Sequence, residues 1–287
     1  MVIKHQEESA ISIEAVHSDL AARPTVLVFD SGMGGLSVYD EIRQILPNFH
    51  YIYAFDNEAF PYGEKPKDLV VERVVQIVSA VQKRYQLAIV VVACNTASTT
   101  SLPALRERFM FPIVGVVPAM KPAAKLTRNG IIGVLATRAT VRRSYTHELI
   151  TRFASDCQIL LLGSAELVDL AEDKLQGGDI SLLALQEILH PWLKSQEPPD
   201  TVVLGCTHFP FLSKELQLVL RTGTQLINSG AAIARRTAWH LANLEEPPIL
   251  STEKNLAFCT MITPKYATFW PILQHFGFKS LQKLPLE

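Results

Sequence analysis

Two cysteines close short apolar runs of matching character. The first run reads Ala88-Ile89-Val90-Val91-Val92-Ala93-Cys94-Asn95-Thr96, the second Thr201-Val202-Val203-Leu204-Gly205-Cys206-Thr207-His208. Such runs read as buried strands of a parallel sheet. The residue just past the strand then faces the crevice where α/β proteins bind ligands. The chain places one thiol at the same kind of spot twice, 112 residues apart. Two thiols facing one ligand can serve as base and acid from opposite sides. A free cysteine more often packs as a small hydrophobe, and Cys157 and Cys259 keep that reading. Cys94 and Cys206 depart from it because hydroxyl and amide residues follow each of them at an expected helix start. Helix N-termini lower thiol pKa and bind carboxylates.

His208, two residues past Cys206, can tune that thiol or donate a proton; it reads equally as a polar residue satisfied at a strand end. The turn Asp30-Ser31-Gly32-Met33-Gly34-Gly35 has two readings as well. Its glycines could admit a phosphate, with Asp56 on a ribose. They do not fit G-x-G-x-x-G, however, since Ser37 falls at the third place, and the P-loop lysine is missing. A charge at Asp30 repels phosphate and suits a ligand carrying an ammonium group. Capping of the next helix by Asp30 or Ser31 is the alternative. No His/Cys cluster supplies four zinc ligands. A cysteine-phosphatase loop would need an arginine six residues past the thiol, where Thr100 and Leu212 stand.

Alternating strand and helix signals must position these residues. Val26 to Phe29 and Tyr51 to Phe55 read as strands. Leu36, Tyr39, Ile42, Ile45 and Leu46 repeat at helical spacing up to Pro47. Val70, Val71, Val74, Val75, Val78 and Val81 form one helical stripe. After the first cysteine strand, a helix is expected from about Ser98 to Phe109 and a strand at Ile113–Val117. Pro118 and Pro122 punctuate a crossing to a second series. That series starts with a strand at Gly130–Leu135 and a turn at Thr137–Thr140. Helices follow near Ser144–Phe153, Glu166–Leu175 and Ser181–Leu193, with a strand near Gln158–Leu162. Beyond the second cysteine strand come a helix near Ala231–Leu241, a strand near Leu256–Thr263 and a helix near Tyr266–Phe276.

The turn after Phe29 matches the turn after Leu135 at an offset of 106, close to the offset of the cysteines. The pattern predicts an α/β fold of two pseudo-symmetric doubly wound domains, with mainly parallel sheets facing across a central cleft. The expected division is an N-terminal extension over 1–22, a first domain of 23–117 plus 227–287, and a second of 118–226. A net charge of −1 gives no case for nucleic acid or an anionic membrane surface. No apolar run reaches the length of a membrane span. The first 23 residues lack the pattern of a secretory signal. Four cysteines with no Cys-x-x-Cys spacing favour free thiols in a reducing cytoplasm.

Four segments resemble glutamate racemases: Phe29-Asp30-Ser31-Gly32-Met33-Gly34-Gly35-Leu36-Ser37, Pro61-Tyr62-Gly63, Ala93-Cys94-Asn95-Thr96-Ala97-Ser98 and Leu204-Gly205-Cys206-Thr207-His208-Phe209-Pro210. The resemblance runs in order from about Arg23 to the C-terminus. It implies a cofactor-independent racemase, with no metal, supplying D-glutamate for peptidoglycan. Cys94 would act on D-glutamate and Cys206 on L-glutamate, with Asp30 and His208 as polar partners. Ser31, Tyr62, Gly63, Asn95, Thr96 and Thr207 would hold the substrate, with backbone N–H groups of Ser31, Gly63, Asn95, Thr96 and Thr207 steadying the carboxylate. Relatives usually carry glutamate in the segment reading Leu167-Val168-Asp169 here, which leaves Asp169 to orient His208. The extension resembles that of Gram-negative members activated by UDP-N-acetylmuramoyl-L-alanine. A site of that kind is expected at Arg106, Gly115, Val116, Val117, Pro118, Ala119, Met120 and Lys121. Rival expectations are an aspartate racemase or related decarboxylase, a two-lobed amino-acid-binding protein, and a nucleotide-dependent enzyme.

Overall fold

The computed structural model describes residues 25–243, 254–264 and 268–286. The extension expected over 1–22 lies outside the described residues. The strands are β1 (Thr25–Asp30), β2 (His50–Phe55), β3 (Leu87–Val92), β4 (Ile113–Gly115), β5 (Ile131–Ala136), β6 (Gln158–Gly163), β7 (Thr201–Leu204), β8 (Gln225–Ile227), β9 (Leu256–Cys259) and β10 (Ser280–Lys283). The helices are α1 (Leu36–Ile45), α2 (Lys67–Gln82), α3 (Asn95–Arg108), α4 (Met120–Leu126), α5 (Arg138–Arg142), α6 (Ser144–Phe153), α7 (Glu166–Leu175), α8 (Leu182–Leu193), α9 (Ser213–Val219), α10 (Gly230–Ala242) and α11 (Trp270–His275).

The strands form two sheets, of order β10-β9-β2-β1-β3-β4 and β6-β5-β7-β8. Every pairing in both is parallel. Alternate residues of a strand point to opposite faces. Val26 and Val28 meet Leu36, Tyr39 and Ile42 of α1 and Ile233 of α10. Leu27 and Phe29 meet Val70, Val74 and Val78 of α2 and Leu105 of α3. Both faces are covered, so β1 reads as a continuous apolar run rather than an alternating one. Along α2, Val71 and Val75 of the expected stripe stay only half-buried. In the second sheet, Val202 and Leu204 pack with Leu185 and Leu189 of α8, while Ile132 and Val134 pack with Met120 and Ala123 of α4. A Cβ on Gly133 would come within 2.8 Å of the Trp192 ring, so this strand position needs a glycine.

The order β6-β5-β7-β8 repeats β2-β1-β3-β4. Beyond the strands, Ala93 N–H donates to the Phe29 carbonyl and Gly205 N–H to the Leu135 carbonyl, both at 2.7 Å. The two cysteines are therefore equivalent in two copies of one unit. The chain leaves the first sheet after β4 and returns to α10 after β8.

Several expected elements differ in extent. β9 stops at Cys259, short of Thr263, because the Asn57 side chain takes the backbone N–H groups of Thr260 and Met261 at 3.0 and 2.9 Å. The helix after Cys94 starts at Asn95 rather than Ser98. Helices α4 and α9 were not expected. Pro122 is compatible with α4 because it is the third helical residue, whose N–H has no intrahelical partner in any case. The turn at Thr137 is a short helix, capped by the Thr137 hydroxyl accepting Thr140 N–H. The start expected for the final helix, near Tyr266, lies outside the described residues. Among the described residues, no helix is long and apolar enough to cross a membrane.

Candidate active site

Cys94 is the N-cap residue of α3 and is 6% exposed. The Ala97 N–H reaches its sulfur, one of the donors that a helix start leaves unpaired. The Ser31 hydroxyl lies 3.6 Å from that sulfur. Asp30 ends β1 and is fully buried. Its carboxylate accepts the N–H of Ser31 at 2.7 Å and that of Gly35, so it does brace the turn before α1. It also lies within hydrogen-bonding reach of Cys94 and accepts the Thr207 hydroxyl at 3.4 Å. Asp30 thus braces the turn and faces the site, while α1 itself, with Gly35 at its N-cap, has no side-chain cap. The Ser31 N–H is committed to Asp30 and is not the free donor expected from the sequence. Burial pushes Asp30 up, with His208 and the turn N–H groups opposing. Burial, then the Asp30 charge, push the Cys94 thiol well above the ordinary range. Cys206 adds in the same direction, so each sulfur lies within the other's field.

Around Cys206 the backbone behaves differently. No α-helix starts there. The chain makes a turn, with Phe209 N–H on the Cys206 carbonyl at 3.2 Å, and enters a 3-10 turn at Phe209–Leu212. The helix field expected at this sulfur is replaced by an imidazole. His208 Nδ1 lies 3.8 Å from Cys206 Sγ, and Nε2 lies 2.7 Å from Glu172 Oε1. Burial alone would lower the His208 pKa. Hydrogen bonds to Cys206 and Glu172, with their charges, outweigh burial and raise it well above the ordinary value. Glu172, one turn beyond Asp169 on α7, is therefore the carboxylate that orients His208. Glu172 Oε1 also accepts Met33 N–H at 3.2 Å, joining the second unit to the first. A Cβ on Gly34 would collide with the His208 ring, which is why that turn needs glycine.

The remaining expected residues divide. Tyr62 is buried, and its hydroxyl donates to Asp56 at 2.6 Å. Asp56 is held in turn by Arg73 and by the Thr260 hydroxyl. The phenol is committed, so Tyr62 has only its backbone to offer a ligand. Gly63 packs on Thr137 of the second unit, at a spacing where a Cβ would lie 3.0 Å from the Thr137 Cβ. The Thr96 hydroxyl lies 3.1 Å from Thr137 and 3.3 Å from Thr140. These two threonines were missed as site residues, although their turn was matched to the Asp30 turn. Asn95 Oδ1 is buried without a hydrogen-bond partner. Asn95 lines a small cavity with Cys206, Thr207, Val116 and Asn228. In the stretch expected to meet an activator, Val116, Pro118, Ala119 and Met120 are buried. Arg106 donates to the Ile113 carbonyl at 3.2 Å, and Lys121 sits over the Phe153 ring. Cys259 is a packing residue as expected, with burial pushing its thiol up to about 11.

Two copies of a parallel α/β unit, each ending its third strand in a buried cysteine, define a two-lobed protein with paired thiols. The sequence profile described as Asp/Glu/Hydantoin racemase matches residues 26–237, and the chain belongs to that family. It is 72% identical over 286 residues to glutamate racemase of Pectobacterium atrosepticum, covering 100% of each chain. It is 65% identical over 283 residues to glutamate racemase of Serratia proteamaculans, covering 98% of each. It is also similar to the crystal structure of Escherichia coli glutamate racemase in complex with L-glutamate and the activator UDP-MurNAc-Ala. That match has a TM-score of 0.89 and 67% identity, over 92% of this chain and 99% of that chain.

Proposed function

We propose that this protein interconverts L-glutamate and D-glutamate without a cofactor, using Cys94 and Cys206 as its acid–base pair. The observation that carries the reading is the placement of two buried thiols at equivalent positions of two lobes, one beside Asp30 and the other beside His208. We take the lobes as 23–117 with 227–287, and 118–226; the crossings after β4 and β8 support this division. Inverting a carbon requires removing a proton from one face and delivering one to the other. Thiols on facing lobes serve that directly. Cys206, beside the His208 imidazolium, takes the Cα proton of L-glutamate as a thiolate. Cys94, held protonated by burial and Asp30, delivers a proton to the opposite face. The reverse reaction starts from Cys94 thiolate and Cys206 thiol.

The carbanion is stabilised by placing donors where its carboxylate charge grows. The first N–H groups of α3, at Asn95 and Thr96, are suited to this, with the backbone of Gly63 and the side of Thr207. The Thr96, Thr137 and Thr140 hydroxyls gather from both lobes, which suits a second carboxylate and hence glutamate. Asp30 offers a negative group for the ammonium. The product would feed peptidoglycan synthesis in the cytoplasm, a compartment supported by four cysteines that are all free. UDP-N-acetylmuramoyl-L-alanine, bound by the E. coli relative, is the proposed activator, with Arg106 and the 115–121 stretch as its contacts. Turnover with and without that nucleotide tests this point, and unchanged rates would reject it.

The main test is solvent deuterium incorporation at Cα of both enantiomers in cofactor-free buffer. Wild-type protein should label each one. Cys94→Ala and Cys206→Ala should each lower racemisation by at least about 10²-fold, the low end of general acid–base effects. Near-normal turnover by either variant would defeat the two-thiol reading.

A further inference from the structure

The pairing of His208 with Glu172 needs two separate elements held in register. His208 sits in the loop after β7, and Glu172 sits on α7. Two residues past Glu172, the Lys174 ammonium donates to the Phe211 carbonyl at 2.8 Å. It also donates to both Glu215 carboxylate oxygens, at 2.6 and 2.7 Å. Phe211 N–H donates to the His208 carbonyl at 3.1 Å, so the chain of bonds ends on the backbone of the imidazole residue. Lys174 lies in the last turn of α7 and Glu215 in the first turn of α9. Each charge therefore also favours the dipole of its own helix. The pair is half-buried, at 28% and 19% side-chain exposure, which places it behind the site rather than in it.

We infer that Lys174 is a positioning residue, clamping α7 to the loop after Cys206 so that Glu172 meets His208. This rests on the two-thiol reading, in which His208 is the hydrogen-bonding partner of Cys206 and reaches Cys94 only through the field at Asp30. Lys174 touches neither sulfur in any bond described above. Its loss leaves Cys94 and Asp30 in place and lets the imidazole drift from its carboxylate. The proton transfer at Cys206, whose sulfur the imidazole contacts directly, then slows more than the one at Cys94.

The test uses the full-length chain and glutamate deuterated at Cα. In the L-to-D direction Cys206 removes the deuteron; in the D-to-L direction Cys94 does. Lys174→Met should lower kcat about ten- to hundredfold, the range expected for a small misplacement of a reacting group, with KM changed less than twofold. The isotope effect on kcat/KM should rise for deuterated L-glutamate and fall toward one for deuterated D-glutamate. Lys174→Arg, which can donate to the same carbonyl and carboxylate, should restore both values. Glu215→Gln should shift the same two isotope effects in the same directions by less, and serves if Lys174→Met does not fold. A kcat within twofold of wild type, or isotope effects that move together, overturns the clamp. Cys206→Ala in the same series separates the outcomes: if it stays active, the two-thiol reading fails first.

Discussion

Cys94 and Cys206 stand at equivalent ends of equivalent strands, yet their surroundings carry opposite charge. The first copy has Asp30 where the second has Ala136, and Thr96 where the second has His208. A carboxylate beside a sulfur resists its ionisation, while an imidazolium beside a sulfur favours it. One backbone unit, used twice, thus prepares one thiol to give a proton and leaves the other a cationic partner. Glu172 reinforces the difference by holding the proton on His208, and its bond to Met33 makes the pairing depend on both lobes.

The comparison breaks most severely at Gly34, whose counterpart in the second copy is Thr140. A methyl at Gly34 would overlap the His208 ring, so the imidazole must leave its place between Cys206 and Glu172. Gly34→Ala should lower turnover by about 100-fold, the scale of a misplaced catalytic group. Circular dichroism of L-glutamate conversion measures it, and retained turnover would mean the ring is not needed where it stands.

Glu172→Gln sharpens the same asymmetry with a smaller effect. His208 has a raised folded-state pKa, burial lowering it and the bonds to Cys206 and Glu172 raising it more. A group of this kind adds stability that is complete below its ordinary value of 6.5 and is lost as pH rises through the folded value. Removing the Glu172 charge lowers that folded value. The alkaline limb of kcat/KM should therefore move to lower pH, and the thermal midpoint should fall less steeply with pH than in wild type. Profiles that superimpose would show that the Glu172 charge does not hold the imidazole proton.

These groups were unequally legible in the sequence. The cysteine strands were readable because both faces of each parallel sheet are covered, leaving unbroken apolar runs. The duplication showed in two similar offsets. Glu172 was not readable: it sits in a helix with Glu166, Asp169 and Asp173, and nothing local marks it as the buried one. Its burial comes from docking against the Gly32–Gly34 turn, more than a hundred residues away in the chain. Thr137 and Thr140 were hidden similarly, because local spacing accounts for them as a cap and a turn. Their meeting with Thr96 exists only once the lobes face each other. Helix α4 was obscured by Pro122, a residue that stops a helix in its interior but is accepted in its first turn.

The hydroxyl cluster supplies the mildest distinction between the lobes. Thr96 comes from the lobe of Cys94, while Thr137 and Thr140 come from the lobe of Cys206, and none of the three is a proton donor to Cα in the proposed reaction. Removing one hydroxyl should therefore weaken holding of the substrate and leave the proton transfers alone. Thr140→Val keeps the shape of the side chain and deletes its bonds to Thr96 and Thr137. The Thr140 N–H still donates to Thr137, so the cap of α5 survives. One hydrogen bond contributes about 1 kcal/mol, so KM for glutamate should rise about fivefold with kcat nearly constant. Because both enantiomers share this anchor, the rise should be the same in both directions, unlike the changes at Gly34, Glu172 and Lys174. A fall in kcat at unchanged KM would move Thr140 from holding the substrate to the chemistry itself.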